Sequence, residues 1–184
     1  MKISVASDLH LEFGSVEIKN HDQAAILILS GDIVPVHCFR QTSQRRIAQS
    51  FRDLINQASK DFEHVIYVAG NHEFYHGSWT GSLLDLRLEC AQWHNVHFLE
   101  RETVTLQDTL FVGGTLWTNM NKGDPLTLHA VRDMINDFKI IHNDNHGRHL
   151  TPQDTVDRHD QTVDFFRCIL EHNPHTNTVI VTHH

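Results

Sequence analysis

Four short runs that read as strands each hand over, within a few residues, to a block of metal-type ligands. This pairing constrains the chain more than any other feature. Ile3 to Ala6 leads into Asp8-Leu9-His10, Ala24 to Leu29 into Gly31-Asp32, Val65 to Ala69 into Gly70-Asn71-His72-Glu73, and Thr178 to Thr182 into His183-His184. The first three runs are nearly continuous in Ile, Val, Leu and Ala, which suits parallel strands covered on both faces. In open α/β sheets functional groups collect beyond the carboxyl ends of strands, where loops converge and helix N-termini point at a ligand. Asp8, Asp32, Asn71 and His183 all take that position.

Between the second and third runs, Ile47, Phe51, Leu54, Ile55 and Ala58 recur at helical spacing, which gives strand, helix, strand. A second helix is expected over Ser82 to Trp93. After it, Val96 to Leu99, Thr103 to Leu106 and Leu110 to Thr115 read as strands, the last two joined by a tight turn at Gln107-Asp108. Asn119 to Leu150 is polar and reads as a long loop with one helical piece near Leu128 to Phe138. Thr151, Pro152 and Asp154 then form a capping-box-like helix start, with Val156, Val163, Phe166 and Leu170 on its buried face and Asn173-Pro174 as its stop.

At 184 residues and 40% hydrophobic composition, the chain is expected to form one domain over 1–184. The formal charge of -8 argues against a protein that coats nucleic acid through clustered Lys and Arg. Bound divalent cations would reverse that sign locally, so a phosphate-bearing substrate stays open. Cys38, Cys90 and Cys168 are odd in number and lack C-x-x-C spacing, which fits a reducing compartment. The N-terminus shows no signal-peptide pattern and no apolar run approaches a bilayer span, so a cytoplasmic location and no membrane partner are expected.

The ligand types agree with one another. A carboxylate can bridge two divalent cations, His supplies nitrogen and Asn a neutral oxygen; such mixed shells suit manganese, iron or zinc better than calcium. Two metals about 3.5–4 Å apart can hold a phosphoryl oxygen, acidify a water to hydroxide and stabilise both oxygens of an in-line displacement. Phosphoester hydrolysis is the reaction class this chemistry favours.

In this order and at these separations the blocks resemble the calcineurin-like metallophosphoesterase superfamily, whose pattern runs D-x-H, G-D, G-N-H-[DE], a His after a strand, and G-H-x-H. The resemblance extends over essentially the whole chain and implies an α/β fold, a β-sandwich of mixed sheets flanked by helices. It implies two divalent ions, manganese first with iron or zinc as alternatives. Asp8 and His10 would bind the first, Asp32 would bridge both, and Asn71 and His183 would bind the second. His72 resembles the catalytic His that contacts phosphate and protonates the leaving oxygen, the bridging Asp32 counts with it among the catalytic residues, and Glu73 would orient the loop or His72.

Two departures bear on this. The protein phosphatase branch carries G-D-x-x-D-R-G, whereas Gly31-Asp32-Ile33-Val34-Pro35-Val36-His37 stands here, so a partner for His72 must come from elsewhere. Leu9-His10-Leu11-Glu12-Phe13 and Leu116-Trp117-Thr118 are instead similar to a group of small bacterial and phage phosphoesterases. No Gly-His dipeptide occurs in the sequence, so G-H-x-H is missing and the domain is expected to be truncated after its fourth ligand block. A piece of a longer protein, a natural truncation, and a site completed by another chain all fit, in that order of preference. The expected weakness of such a form leaves a catalytically impaired binding or assembly module as the alternative to an enzyme. Thr178 to Thr182 would then lie near an uncovered sheet edge, open to self-association.

Simpler roles compete with each of these. Asp8, Asp32 and Asn71 singly could be turn or cap residues, but independent turns would not place His beside three of four blocks. His142, His146 and His149 with Asp144 could form a second metal cluster or a solvated loop. Trp117, Asn136 and Asp137 could line a substrate pocket, Trp117 equally well being structural. Arg45, Arg46 and Arg52 read as a solvated face, and no basic stripe with aromatics supports a nuclease.

Overall fold

A computed structural model describes residues 1–184. The first sheet holds four parallel strands in the order β1 (Ile3–Ala6), β2 (Ile26–Ser30), β3 (His64–Val68) and β4 (Val96–Phe98). The second holds β5 (Glu102–Leu106), β6 (Thr109–Thr115) and β9 (Asn177–His183), with β5 and β6 an antiparallel hairpin and β9 parallel to β6.

The two sheets pack face to face. Side chains alternate along a strand, so β2 sends Ile26 and Ile28 to one side and Leu27 and Leu29 to the other, and all four are buried. Ile26, Ile28, Ile66 and Val68 meet Phe111 and Val181 of the second sheet. Leu27, Leu29, Val65 and Tyr67 share the larger core with Phe51, Leu54 and Ile55 of α1 (Arg45–Asp61) and Leu86 of α2 (Trp79–Cys90). On the far face of the second sheet, Leu110 and Val112 pack on Phe166 of α6 (Pro152–His172). The layers therefore run helix, sheet, sheet, helix, the sandwich of mixed sheets expected from the sequence. Each fully buried aliphatic side chain contributes about 1.5–3 kcal/mol, which is why the strands read as apolar runs.

The helix starts show where sequence reading slipped. α2 begins three residues before the expected Ser82, because the Ser78 hydroxyl accepts from the Gly81 amide at 3.2 Å and caps the helix there. The segment Asn119 to Leu150 is more ordered than a loop. It carries a left-handed turn labelled α3 (Met120–Gly123), then α4 (Pro125–Arg132), α5 (Asp137–Ile140), and the short pair β7 (His142–Asn143) and β8 (Arg148–His149). Asp124 caps α4 by accepting from the Thr127 amide at 2.8 Å, with Pro125 in the first turn. That Asp-Pro pair was a readable signal.

α6 begins as expected. Thr151 and Asp154 exchange bonds, the Thr151 amide donating at 2.7 Å and the Asp154 amide returning to the hydroxyl at 3.4 Å. Arg52 departs from the expected solvated face: it donates to both oxygens of Glu89, at 2.5 and 3.0 Å, and ties α1 to α2. β9 is an edge strand, with Ile180 45% exposed, and Val5 on the edge strand β1 is 67% exposed. No helix is long and apolar enough to cross a membrane.

Candidate metal centre

Three ligand blocks leave adjacent parallel strands at the same end of the first sheet. The chain after β1 continues to pair with the chain after β2: the amides of Asp8, His10 and Leu11 donate to the carbonyls of Gly31, Asp32 and Ile33, each at 3.0 Å. Asp8, His10 and Asp32 take left-handed backbone conformations, with φ of 55°, 46° and 56°. Such a conformation costs an L-residue on the order of 1–2 kcal/mol, and strain of this kind gathers at functional sites. Two glycines make the convergence possible. A Cβ at Gly31 would overlap the His183 ring, and one at Gly70 would overlap the Asp32 carboxylate.

Beneath the site, Glu73 is fully buried. It accepts from the amides of Asp32 at 3.0 Å, Ile33 at 2.7 Å, Val34 at 3.4 Å and Gly70 at 2.8 Å, and from the Tyr67 hydroxyl at 2.7 Å. One carboxylate thus ties the loop after β2 to the loop after β3. Burial and the nearby Asp32 raise the Glu73 carboxyl above its ordinary value, while the hydrogen bonds from Tyr67, Ile33 and Gly70 pull it down. The same burial, with Glu73 beside it, pushes the Tyr67 phenol well up.

Asp32, 5% exposed, lies at the middle of the cluster. Its Oδ1 accepts from the His72 amide at 2.9 Å and lies 3.5 Å from His183 Nε2. Its Oδ2 lies 3.9 Å from His10 Nε2 and 4.0 Å from His72 Nε2. Asp8, Asp32 and His183 can each offer a ligand atom within 4.8 Å of the others, and so can His10, Glu12 and His72. Two donor atoms that each sit about 2.1 Å from a shared ion lie up to about 4 Å apart. The imidazole-to-carboxylate spacings fall in that range, so the donor set fits divalent cations.

Each of the three imidazoles turns its other nitrogen to an acceptor. His183 Nδ1 meets the Ser30 carbonyl at 2.8 Å, and the Nδ1 atoms of His10 and His72 meet Glu12 Oε1 at 3.3 and 3.2 Å. Asn71 donates its side-chain amide to Asp137 Oδ1 at 2.9 Å, and the Tyr75 hydroxyl donates to the same oxygen at 2.9 Å. Tyr75 also stacks on His72 with ring centroids 4.1 Å apart. Burial, followed by Asp137, raises the Tyr75 phenol, so it remains a donor.

With this geometry in hand, the profile of the calcineurin-like phosphoesterases matches residues 1–184. The chain belongs to that family. Among curated relatives of this calcineurin-like phosphoesterase, the uncharacterized protein L509 of Acanthamoeba polyphaga mimivirus is 26% identical over 143 residues, covering 74% of the chain and 50% of the relative. The chain thus spans about half the length of that relative. Among solved structures, the Phosphopantetheinyl Hydrolase (PptH) from Mycobacterium tuberculosis superposes with a TM-score of 0.65 at 18% identity, over 99% of this chain and 67% of that one. At that identity the likeness speaks for the fold.

Within this calcineurin-like phosphoesterase, Asp8, His10, Asp32, His72 and His183 converge as ligand-bearing groups. Asn71, next to His72 in the chain, has its side-chain amide nitrogen held by Asp137. Glu73 serves the loops, having no bond to the His72 ring. His142, His146 and His149 are exposed and do not gather as a ligand group, and Asp144 Oδ1 accepts from the Thr80 amide at 3.2 Å in the first turn of α2. Trp117 is buried between Phe74 and Trp79 as a core residue, and Asn136 is exposed. Sequence reading missed the contacts of Glu12 and Asp137. Glu12 stands two residues past His10 and could have been read as part of that block. Asp137 was read as a possible pocket-lining residue, but it lies 66 positions from Asn71, and nothing local marked that pairing.

Proposed function

We propose that this chain carries the catalytic core of a metal-dependent phosphoesterase acting on a phosphomonoester or phosphodiester. The observation that carries the reading is the position of Asp32, whose two oxygens face three imidazole Nε2 atoms at 3.5 to 4.0 Å. No hydrogen bond joins these pairs, and a cation between them would satisfy both sides. Asp8, His10 and Asp32 would hold one ion, and Asp32, Asn71 and His183 the other, with manganese, iron or zinc suited to the mixed nitrogen and oxygen donors. When bound, two such ions neutralise phosphoryl charge and lower the pKa of water.

The chain's own residues supply the rest. Asp32 would contribute to both ion positions and, by accepting from the His72 amide, fixes the start of the loop that carries Asn71 and His72. His72 would take up a proton at Nε2 and pass it to the leaving oxygen, its ring clamped by Tyr75 on one face and by Glu12 at Nδ1. Asp137 turns the amide nitrogen of Asn71 away, which leaves the carbonyl oxygen for an ion.

The test is hydrolysis of 4-nitrophenyl phosphate and bis(4-nitrophenyl) phosphate with and without added Mn2+. Manganese-dependent turnover that Asp32→Ala and His72→Ala each reduce by about 100-fold or more supports the proposal. Full activity in both variants overturns it.

A further inference from the structure

Glu12 is a charged residue at the site to which the proposed ion positions assign no role, and its contacts join two of the site's histidines. One of its oxygens, Oε1, faces Nδ1 of His10 at 3.3 Å and Nδ1 of His72 at 3.2 Å. The other, Oε2, is buried without a hydrogen-bond partner. The two rings it joins meet edge to face, with centroids 4.4 Å apart.

An ionised carboxylate only accepts hydrogen bonds. Both contacts therefore require the proton on Nδ1, and a neutral imidazole protonated at Nδ1 has its free lone pair on Nε2. Those Nε2 atoms face Asp32 Oδ2 at 3.9 and 4.0 Å. We infer that Glu12 is a positioning residue that sets the tautomer of His10 and His72 together, so that one carboxylate aims the open Nε2 of both a metal ligand and the proton-relaying histidine at the same point. The inference rests on the roles proposed for those two histidines.

The sequence around Asp32 supports this assignment. In the protein phosphatase branch the second Asp of G-D-x-x-D-R-G partners the catalytic His; here that position is Pro35, whose ring offers no acceptor. Glu12 arrives from the loop after β1, which is held against the Asp32 loop by the His10 and Leu11 amides. The left-handed turn at His10 bends the chain back toward that loop.

Long-range proton–nitrogen NMR of the uniformly nitrogen-15-labelled, metal-free chain above pH 7 reads the tautomers directly, with His10 and His72 assigned by single substitution. Both rings are expected to carry the proton on Nδ1. In Glu12→Ala, which removes the acceptor, both should move to the Nε2-protonated form that an unconstrained histidine side chain prefers. In Glu12→Gln, whose side-chain oxygen still accepts, the Nδ1 form should persist. With Mn2+, Glu12→Ala should lower kcat about 10–100-fold with little change in KM, and Glu12→Gln should recover part of the loss. An Nε2-protonated His10 or His72 in the unsubstituted chain overturns the inference, and that spectrum decides even if Glu12→Ala does not fold. Unchanged tautomers in folded Glu12→Ala also overturn it. Correct tautomers in a chain that hydrolyses neither aryl phosphate would instead fault the proposed function and leave the role of Glu12 standing.

Discussion

Histidines crowd this molecule in two places, and the two are built in opposite ways. At the strand ends, His10, His72 and His183 each give one nitrogen to a protein acceptor and turn the other toward Asp32. Around β7 and β8, His142 and His149 face one another as exposed rings with centroids 5.6 Å apart. The carboxylates near that second group are already engaged: Asp144 accepts from the start of α2, and Asp154 caps α6 and accepts from Arg148 at 2.6 and 3.0 Å. The difference lies in what the polar groups hold. In the first region acceptors behind the three rings leave each Nε2 without a hydrogen bond, whereas in the second the carboxylates are consumed in closing helix ends. Histidine count alone does not separate a ligand cluster from a structured turn; the destination of the second nitrogen does.

The sharpest way to break this contrast is Asp32→Ala, which should reduce Mn2+ binding and hydrolysis by about 100-fold or more. Next comes the carboxylate under the site. Glu73→Gln sets a side-chain amide against backbone amides, and leaving buried donors unpaired should cost about 3 kcal/mol, read as a fall of about 6–12 °C in Tm for a chain of this size. Asp137→Ala frees the Asn71 amide to rotate and should weaken metal binding about 10–100-fold with little change in Tm, measured by calorimetric titration.

The second region should answer to acid instead of metal. Burial works against the Asp154 charge, but the Arg148 guanidinium and the Thr151 hydroxyl and amide overcome it and hold the carboxyl at about 2. A carboxyl depressed in the folded state contributes stability above the ordinary aspartate value of about 3.9 and loses it as pH falls toward about 2. Asp154→Asn should flatten that part of an acid-unfolding curve. Smallest of all, His142→Ala with His149→Ala should leave metal stoichiometry unchanged and shift stability by no more than about 0.5 kcal/mol. A lost Mn2+ in that double variant would erase the distinction between the two regions.

Much of this was legible in the residues. Buried parallel strands require continuous apolar runs, so Ile26 to Leu29 and Val65 to Val68 announced themselves, and the blocks behind them followed from the geometry of strand ends. Thr151, Pro152 and Asp154 fixed the start of α6 because capping is local chemistry. What sequence could not supply was the partner of each ligand. Glu73 reaching the Asp32 loop, Asp137 reaching Asn71, and the Ser30 carbonyl reaching His183 are contacts across 41, 66 and 153 positions, set by tertiary packing and not by any period. The segment holding α4 and α5 was misread for a related reason: Leu128, Val131 and Ile135 are only partly buried against the core, and no α4 residue is fully buried, so its apolar stripe is weak.

Equilibrium dialysis of the chain against Mn2+, with bound metal counted by elemental analysis, tests the central claim most directly. The geometry around Asp32 predicts two ions per chain, falling to one or none in Asp32→Ala and staying at two when His142 and His149 are both replaced by alanine. A wild-type chain that binds no Mn2+, or an Asp32→Ala chain that still binds two ions with undiminished affinity, would contradict it.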